Sequence, residues 1–154
     1  MPSIRVDAYR SIPFPITLVR QCLVDFHEGQ PRLLPPDVQD YAVLQGGIGE
    51  GTVVTCDMNL RNRVRHFSFR ISEPIHYKTL TAYDHDSRLT ISWHMRAEGE
   101  STEVQIEAFW TEPDSFLDFM VIIWAQIKVR GYLNHILNRM PAVIVENGYE
   151  NVPL

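Results

Sequence analysis

The feature that most constrains this chain is a change of period near Pro113. Before it, six runs at 38–45, 52–60, 64–73, 77–84, 88–97 and 102–111 have β character and are joined by short polar or glycine-bearing turns. Consecutive strands with such turns predict an antiparallel meander. After Pro113 the apolar spacing is helical to about Met140, with Asp114 or Ser115 as the cap and Pro141 as the stop. That helix of roughly 26 residues exceeds the average of about 11–12. It is apolar on more than one face, through Phe116, Phe119, Met120, Ile123, Trp124, Ile127, Leu133, Ile136 and Leu137. A helix apolar over much of its circumference must be gripped by other structure. Strands gathered in one stretch and a helix in another read as an α+β chain.

The N-terminal part adds three elements. Residues 3–11 alternate as a first strand, and Pro13 and Pro15 end the ladder. Leu18, Val19, Cys22, Leu23 and Phe26 recur at helical spacing, so 15–26 is a short amphipathic helix. A further turn or two covers 28–34 before Pro35-Pro36. No linker, repeat or low-complexity tract divides the sequence. One domain over 1–154 is expected, with its core at about 3–140 and a tail at 141–154 packed through Val143, Ile144 and Tyr149.

Composition excludes several classes of partner. The 154 residues are 45% hydrophobic and 21% charged, close to an average globular chain. With 14 basic and 19 acidic residues the net charge is -5, which repels phosphate backbones and anionic membranes and argues against nucleic acid. The strongest apolar run, Phe119 to Ala125, is far short of the ~20 residues that span a bilayer. Met1 to Asp7 lacks the basic head and apolar run of a signal peptide. Cys22 and Cys56 are too few for a disulfide framework and read as small buried hydrophobes. A reducing cytoplasm is the expected compartment.

Strand alternation proposes which side chains face the helix. Ile91, Trp93 and Met95 oppose Ser92, His94 and Arg96, and Val104, Ile106, Ala108 and Trp110 oppose Glu103, Gln105 and Glu107. Phe67, Phe69 and Ile71 oppose His66, Ser68 and Arg70, while Val54, Cys56, Met58 and Leu60 form the better apolar set of their run. For 77–84, Leu80/Ala82 and Tyr77/Tyr83 are both candidates for the inner face. The inner set is apolar and rich in aromatics and methionine, which fits either a solid core or the wall of a ligand site. As a wall it would comprise Met58, Phe67, Phe69, Ile91, Trp93, Met95, Ile106 and Trp110 from the strands, with Met120, Ile123, Trp124 and Ile127 from the helix.

Polar candidates are few, and most have an ordinary reading. Gly46 to Gly51 reads G-G-x-G-x-G but joins two strands, whereas a dinucleotide fingerprint leads from strand to helix. Asp84-His85-Asp86 has metal-ligand residue types, yet neighbours in a hairpin tip point apart, and no metal or cofactor is expected. His66 and His94 fall on the outward phase, and no Ser–His–Asp arrangement is supported. Arg61-Asn62-Arg63 with Arg65 is the one dense basic cluster, either a solvated hairpin or a carboxylate holder at a cavity mouth. Asp57, Asn59, Arg65, Tyr83 and Tyr132 could reach the interior if the phase slipped by one, and could then serve acid/base chemistry.

The order strand, two short helices, six strands and one long helix resembles the START-like (SRPBCC) superfamily, in its polyketide cyclase/dehydrase-like branch. The local matches are Ile12-Pro13-Phe14-Pro15, Asp25-Phe26, Gly49-Glu50-Gly51-Thr52 and Ser72-Glu73-Pro74, and the likeness covers about 3–140. It implies a helix-grip fold: a curled antiparallel sheet of about seven strands around the C-terminal helix. It also implies a small hydrophobic ligand, lipid-like, polyketide-like or aromatic, held between sheet and helix. The alternative is a cyclase or dehydratase working by acid/base chemistry in the same space. A third reading is an interaction module, with a homodimer left open.

Overall fold

Alternation along each strand sets which side chains are buried, and the core follows it. The computed structural model describes residues 3–60, 63–111 and 119–149, with 119–125 described through the backbone. Its elements are β1 (Ser3–Ile12), α1 (Ile16–Val24), α2 (Gln30–Leu33), β2 (Val38–Gln45), β3 (Val53–Leu60), β4 (Arg63–Ile75), β5 (Thr79–Asp84), β6 (Thr90–Glu98), β7 (Ser101–Thr111) and α3 (Phe119–Glu146). All strands join one antiparallel sheet in the order β1-β7-β6-β5-β4-β3-β2. The meander therefore runs in sequence from β2 to β7. β1 returns to pair with β7, with Ile4 opposite Trp110 and Ile12 opposite Thr102.

The inner face carries Ile4, Val6 and Ala8 on β1, Val54 and Cys56 on β3, Phe67, Phe69 and Ile71 on β4, and Val104, Ile106 and Ala108 on β7, all buried. The open question at β5 resolves to Leu80 and Ala82, which are buried, while Tyr77 and Tyr83 are exposed. α3 lies over β1 and β7 and against α1 and α2. Leu133, Ile136, Leu137, Met140 and Ile144 supply its buried stripe at three- and four-residue spacing.

Two expected stops do not stop their elements. Pro141 lies inside α3, which continues to Glu146. A proline there removes one backbone hydrogen bond, but Met140, Val143 and Ile144 are fully buried and hold the final turns against the core. Likewise Pro74 does not close β4, because the ladder to β5 shifts register between Ser72 and Ile75. A bulge is a place where a strand tolerates proline.

The glycine-dense link between β2 and β3 is explained by its backbone. Gly46, Gly47, Gly49 and Gly51 have φ values of 69°, 142°, 63° and 90°, a region that penalises any Cβ. Among the described residues no helix is long and apolar enough to cross a membrane. Arg61, Asn62, Asp114 and Ser115 lie outside the described residues.

Candidate functional site

The concave face of the sheet brings the strand members of the expected wall together. Phe67, Phe69, Trp93, Met95 and Ile106 are buried there. Met58, Ile91 and Trp110 are partly buried and packed on the same core. The rings of Phe67 and Phe69 stack at 5.6 Å and 7°. Trp93 stands between Leu80 and Ile106 on the neighbouring strands. Its Nε1 is buried and has no hydrogen-bond partner among the described residues.

The helix side of the wall differs from expectation. Ile127 is 66% exposed. It stands nine residues before the buried Ile136, two and a half turns at 3.6 residues per turn, and so occupies the opposite helical face. The side chains of Met120, Ile123 and Trp124 lie outside the described residues.

Of the polar candidates, two face away from the wall because the strand phase holds. Asp57 is on the outer face, where its Oδ1 lies 2.7 Å from His66 Nδ1. Tyr83 is opposite Arg70 on the same outer face. Arg65 shares the inner phase with Phe67 but stands at the exposed end of β4, with its guanidinium carbon 5.9 Å from the Phe67 ring centre. Tyr132 is buried on α3 and donates its hydroxyl hydrogen to Asp37 Oδ2 at 2.9 Å. Lys128, one turn earlier, places its Nζ 3.1 Å from the same oxygen.

This Asp37–Lys128–Tyr132 clamp was not singled out in the sequence. Its one legible trace is the four-residue spacing of Lys128 and Tyr132, which puts them on one helix face. The hydrogen bond from Lys128, then that from Tyr132, holds the Asp37 carboxyl below its ordinary range. Burial, then the bond to Asp37, pushes the Tyr132 phenol above its own. Asp37 precedes Val38, which pairs with Met58, and Met58 pairs with Arg65. The clamp and Arg65 therefore frame the same end of the concave face.

The remaining polar clusters serve the frame. Arg20 donates two hydrogen bonds to the Glu73 carboxylate, at 2.9 and 3.0 Å, tying α1 to the end of β4. Asp25 accepts from the Tyr149 hydroxyl at 2.6 Å and from the backbone of His27 and Glu28, which ties the end of α1 to the turn after α3. Asp84 is buried and accepts from Ser68 N, Ser87 N and Ser87 Oγ, so it builds the β5–β6 turn, while His85 and Asp86 are exposed. Burial pushes the Cys22 and Cys56 thiols up to about 12, which leaves both unreactive at neutral pH.

Two surface clefts lie apart from the wall. One, of about 510 Å³, is lined by Gln45, Glu50, Arg70 and Tyr83 on the outer side. The other, of about 340 Å³, is lined by Asp25, Arg32, Glu146 and Tyr149.

No protein-family model and no curated protein matches the chain. Solved structures do. The KanY protein is similar at 22% identity and a TM-score of 0.81, over 94% of this chain and 99% of that one. A START superfamily protein from Mycobacterium smegmatis is similar at 12% identity and a TM-score of 0.69, over 92% and 97%. The chain has the START-like helix-grip fold. Zhui aromatase/cyclase from a Streptomyces species shares it at 13% identity and a TM-score of 0.69, over 90% of this chain and 94% of that one. The described polar clusters sit at the rim, in turns or on the outer face.

Proposed function

We propose that the protein binds a small hydrophobic molecule between the concave wall of the sheet and α3. The supporting observation is the contiguous apolar cluster of Phe67, Phe69, Ile91, Trp93, Met95, Ile106 and Trp110, with Met58 packed against it. Burial of apolar ligand surface contributes about 25 cal/mol per Å². A ligand face of about 300 Å² thus offers roughly 7 kcal/mol before the costs of association. Arg65, at the open end of the same inner phase, suits a ligand's anionic group. The fold supports this reading by its likeness to START-like proteins, and the buried carboxylate beside the wall, Asp84 opposite Phe69, is engaged by Ser68 and Ser87 in the β5–β6 turn.

The test is displacement of 1-anilinonaphthalene-8-sulfonate by apolar competitors, with native mass spectrometry for stoichiometry. Saturable one-to-one binding at micromolar concentration is expected, and the same spectra separate monomer from homodimer. Absence of any saturable binding would overturn the proposal.

A further inference from the structure

We propose that Trp93 is the polar recognition point of this site. Its indole N–H donates to a neutral oxygen acceptor on the apolar body of the ligand. The inference rests on the ligand-binding reading above and adds the chemical class of the ligand. Trp93 is 5% exposed, and its Nε1 has no hydrogen-bond partner. Buried polar groups are paired in the great majority of cases, and an unpaired one costs about 1–3 kcal/mol. That cost calls for a physical reason.

Among the described residues the surroundings supply no acceptor. Trp93 faces Leu80 and Ile106 across the ladders and stands between Ile91 and Met95 on the inner phase of its own strand. These are hydrocarbon side chains and one thioether, a weak acceptor at best. The backbone groups around them are committed to the sheet. Gln21 Oε1 is also buried without a partner. It belongs to a partly exposed residue on α1, away from the wall that holds Trp93.

The chemistry of the donor narrows the ligand. An indole nitrogen donates and does not accept, so an ammonium finds no partner there, and a primary or secondary amine would leave its own N–H groups unpaired. A carboxylate placed at this point would be buried among Leu80, Ile91 and Ile106 without a counter-charge, which is strongly unfavourable. The group that fits is a neutral oxygen: a ketone, a quinone, an ester or an ether, carried on an aromatic or aliphatic body.

A matched pair of probes tests this. 2-Acetylnaphthalene and 2-isopropenylnaphthalene have the same shape and differ in C=O against C=CH₂. The wild-type protein should bind the ketone about tenfold more tightly, the size of one net hydrogen bond. In Trp93→Phe the two affinities should become equal. The Trp93 Nε1–H proton resonance should move downfield with the ketone and not with the alkene. This readout needs no variant, so it decides the matter even where Trp93→Phe folds poorly. Equal binding of both probes by the wild type, with a static indole resonance, would overturn the inference and leave the ligand-binding reading intact. An unchanged preference in Trp93→Phe would also overturn it. Binding of neither probe would overturn both.

Discussion

The C-terminal half of α3 and the concave wall of the sheet are built from similar side chains but closed differently. Around the helix, Leu137, Met140, Val143 and Ile144 are fully buried, and three polar side chains of this part of the fold are answered within the chain. Tyr149 donates to Asp25 at 2.6 Å, Gln30 Nε2 to the Leu23 carbonyl at 2.8 Å, and Thr102 Oγ1 to the Phe14 carbonyl at 2.8 Å. Along the wall, Met58, Ile91 and Trp110 are only partly buried, and Trp93 keeps an unanswered donor. A region that only holds shape can pair most of its polar groups with its own residues. On the proposed reading, the wall leaves part of that pairing to a ligand.

The sharpest way to break this contrast is to remove volume from each side. Leu137→Ala deletes a buried side chain from the sealed half and should cost about 2–5 kcal/mol in urea unfolding. Ile91→Ala, at a partly buried wall position, should cost less than half as much. Equal losses would mean that the wall is as solid as the core. The next largest effect tests polar closure. Tyr149→Phe removes a hydrogen bond to a carboxylate and should destabilise the chain by about 1.5–3 kcal/mol, measured in the same way.

Much of the frame was legible because it depends on period. Alternation alone placed Phe67, Phe69, Trp93, Met95 and Ile106 on the inner face, since a strand with one apolar face has a single workable phase. Helical phase was less legible. Ile127 belongs to an apolar segment of a helix with apolar residues all round, and spacing cannot say which stripe meets the sheet. The turn signals at Pro74 and Pro141 misled because a bulge and a buried final turn accommodate proline. The polar partnerships were illegible for another reason. Asp37 with Tyr132, Arg20 with Glu73 and Asp25 with Tyr149 join residues 95, 53 and 124 positions apart, and only the closed fold brings them together.

A third, smaller test concerns the clasp between α1 and β4, which resembles the sealed half in being fully paired. Glu73→Gln should cost about 1–2 kcal/mol at neutral pH, because it removes the charge from a bidentate pair. The Arg20 hydrogen bond, against the opposing effect of burial, holds the Glu73 carboxyl below its ordinary value of 4.5. Above 4.5 the group is ionised both folded and unfolded, so the stabilisation is fully present. It is lost as pH falls through the lower folded value. The stability gap between wild type and Glu73→Gln should therefore shrink in acid. A gap that stays constant well below pH 4.5 would show that packing, and not the charge, carries the clasp.

The smallest expected effect is the most diagnostic. Trp93→Phe removes part of a buried ring, which destabilises, and an unpaired donor, whose removal returns about 1–3 kcal/mol of desolvation cost. The two should nearly cancel, so that unfolding free energy without ligand changes by less than about 1 kcal/mol. Tyr149→Phe deletes a single atom and should cost more, since its hydroxyl is answered by Asp25. That inversion, in which the smaller deletion does the greater harm, follows only if the Trp93 N–H is unpartnered in the free protein. A loss of about 3 kcal/mol or more from Trp93→Phe would mean that the donor is satisfied within the chain, and the wall would then be closed on the same terms as the core.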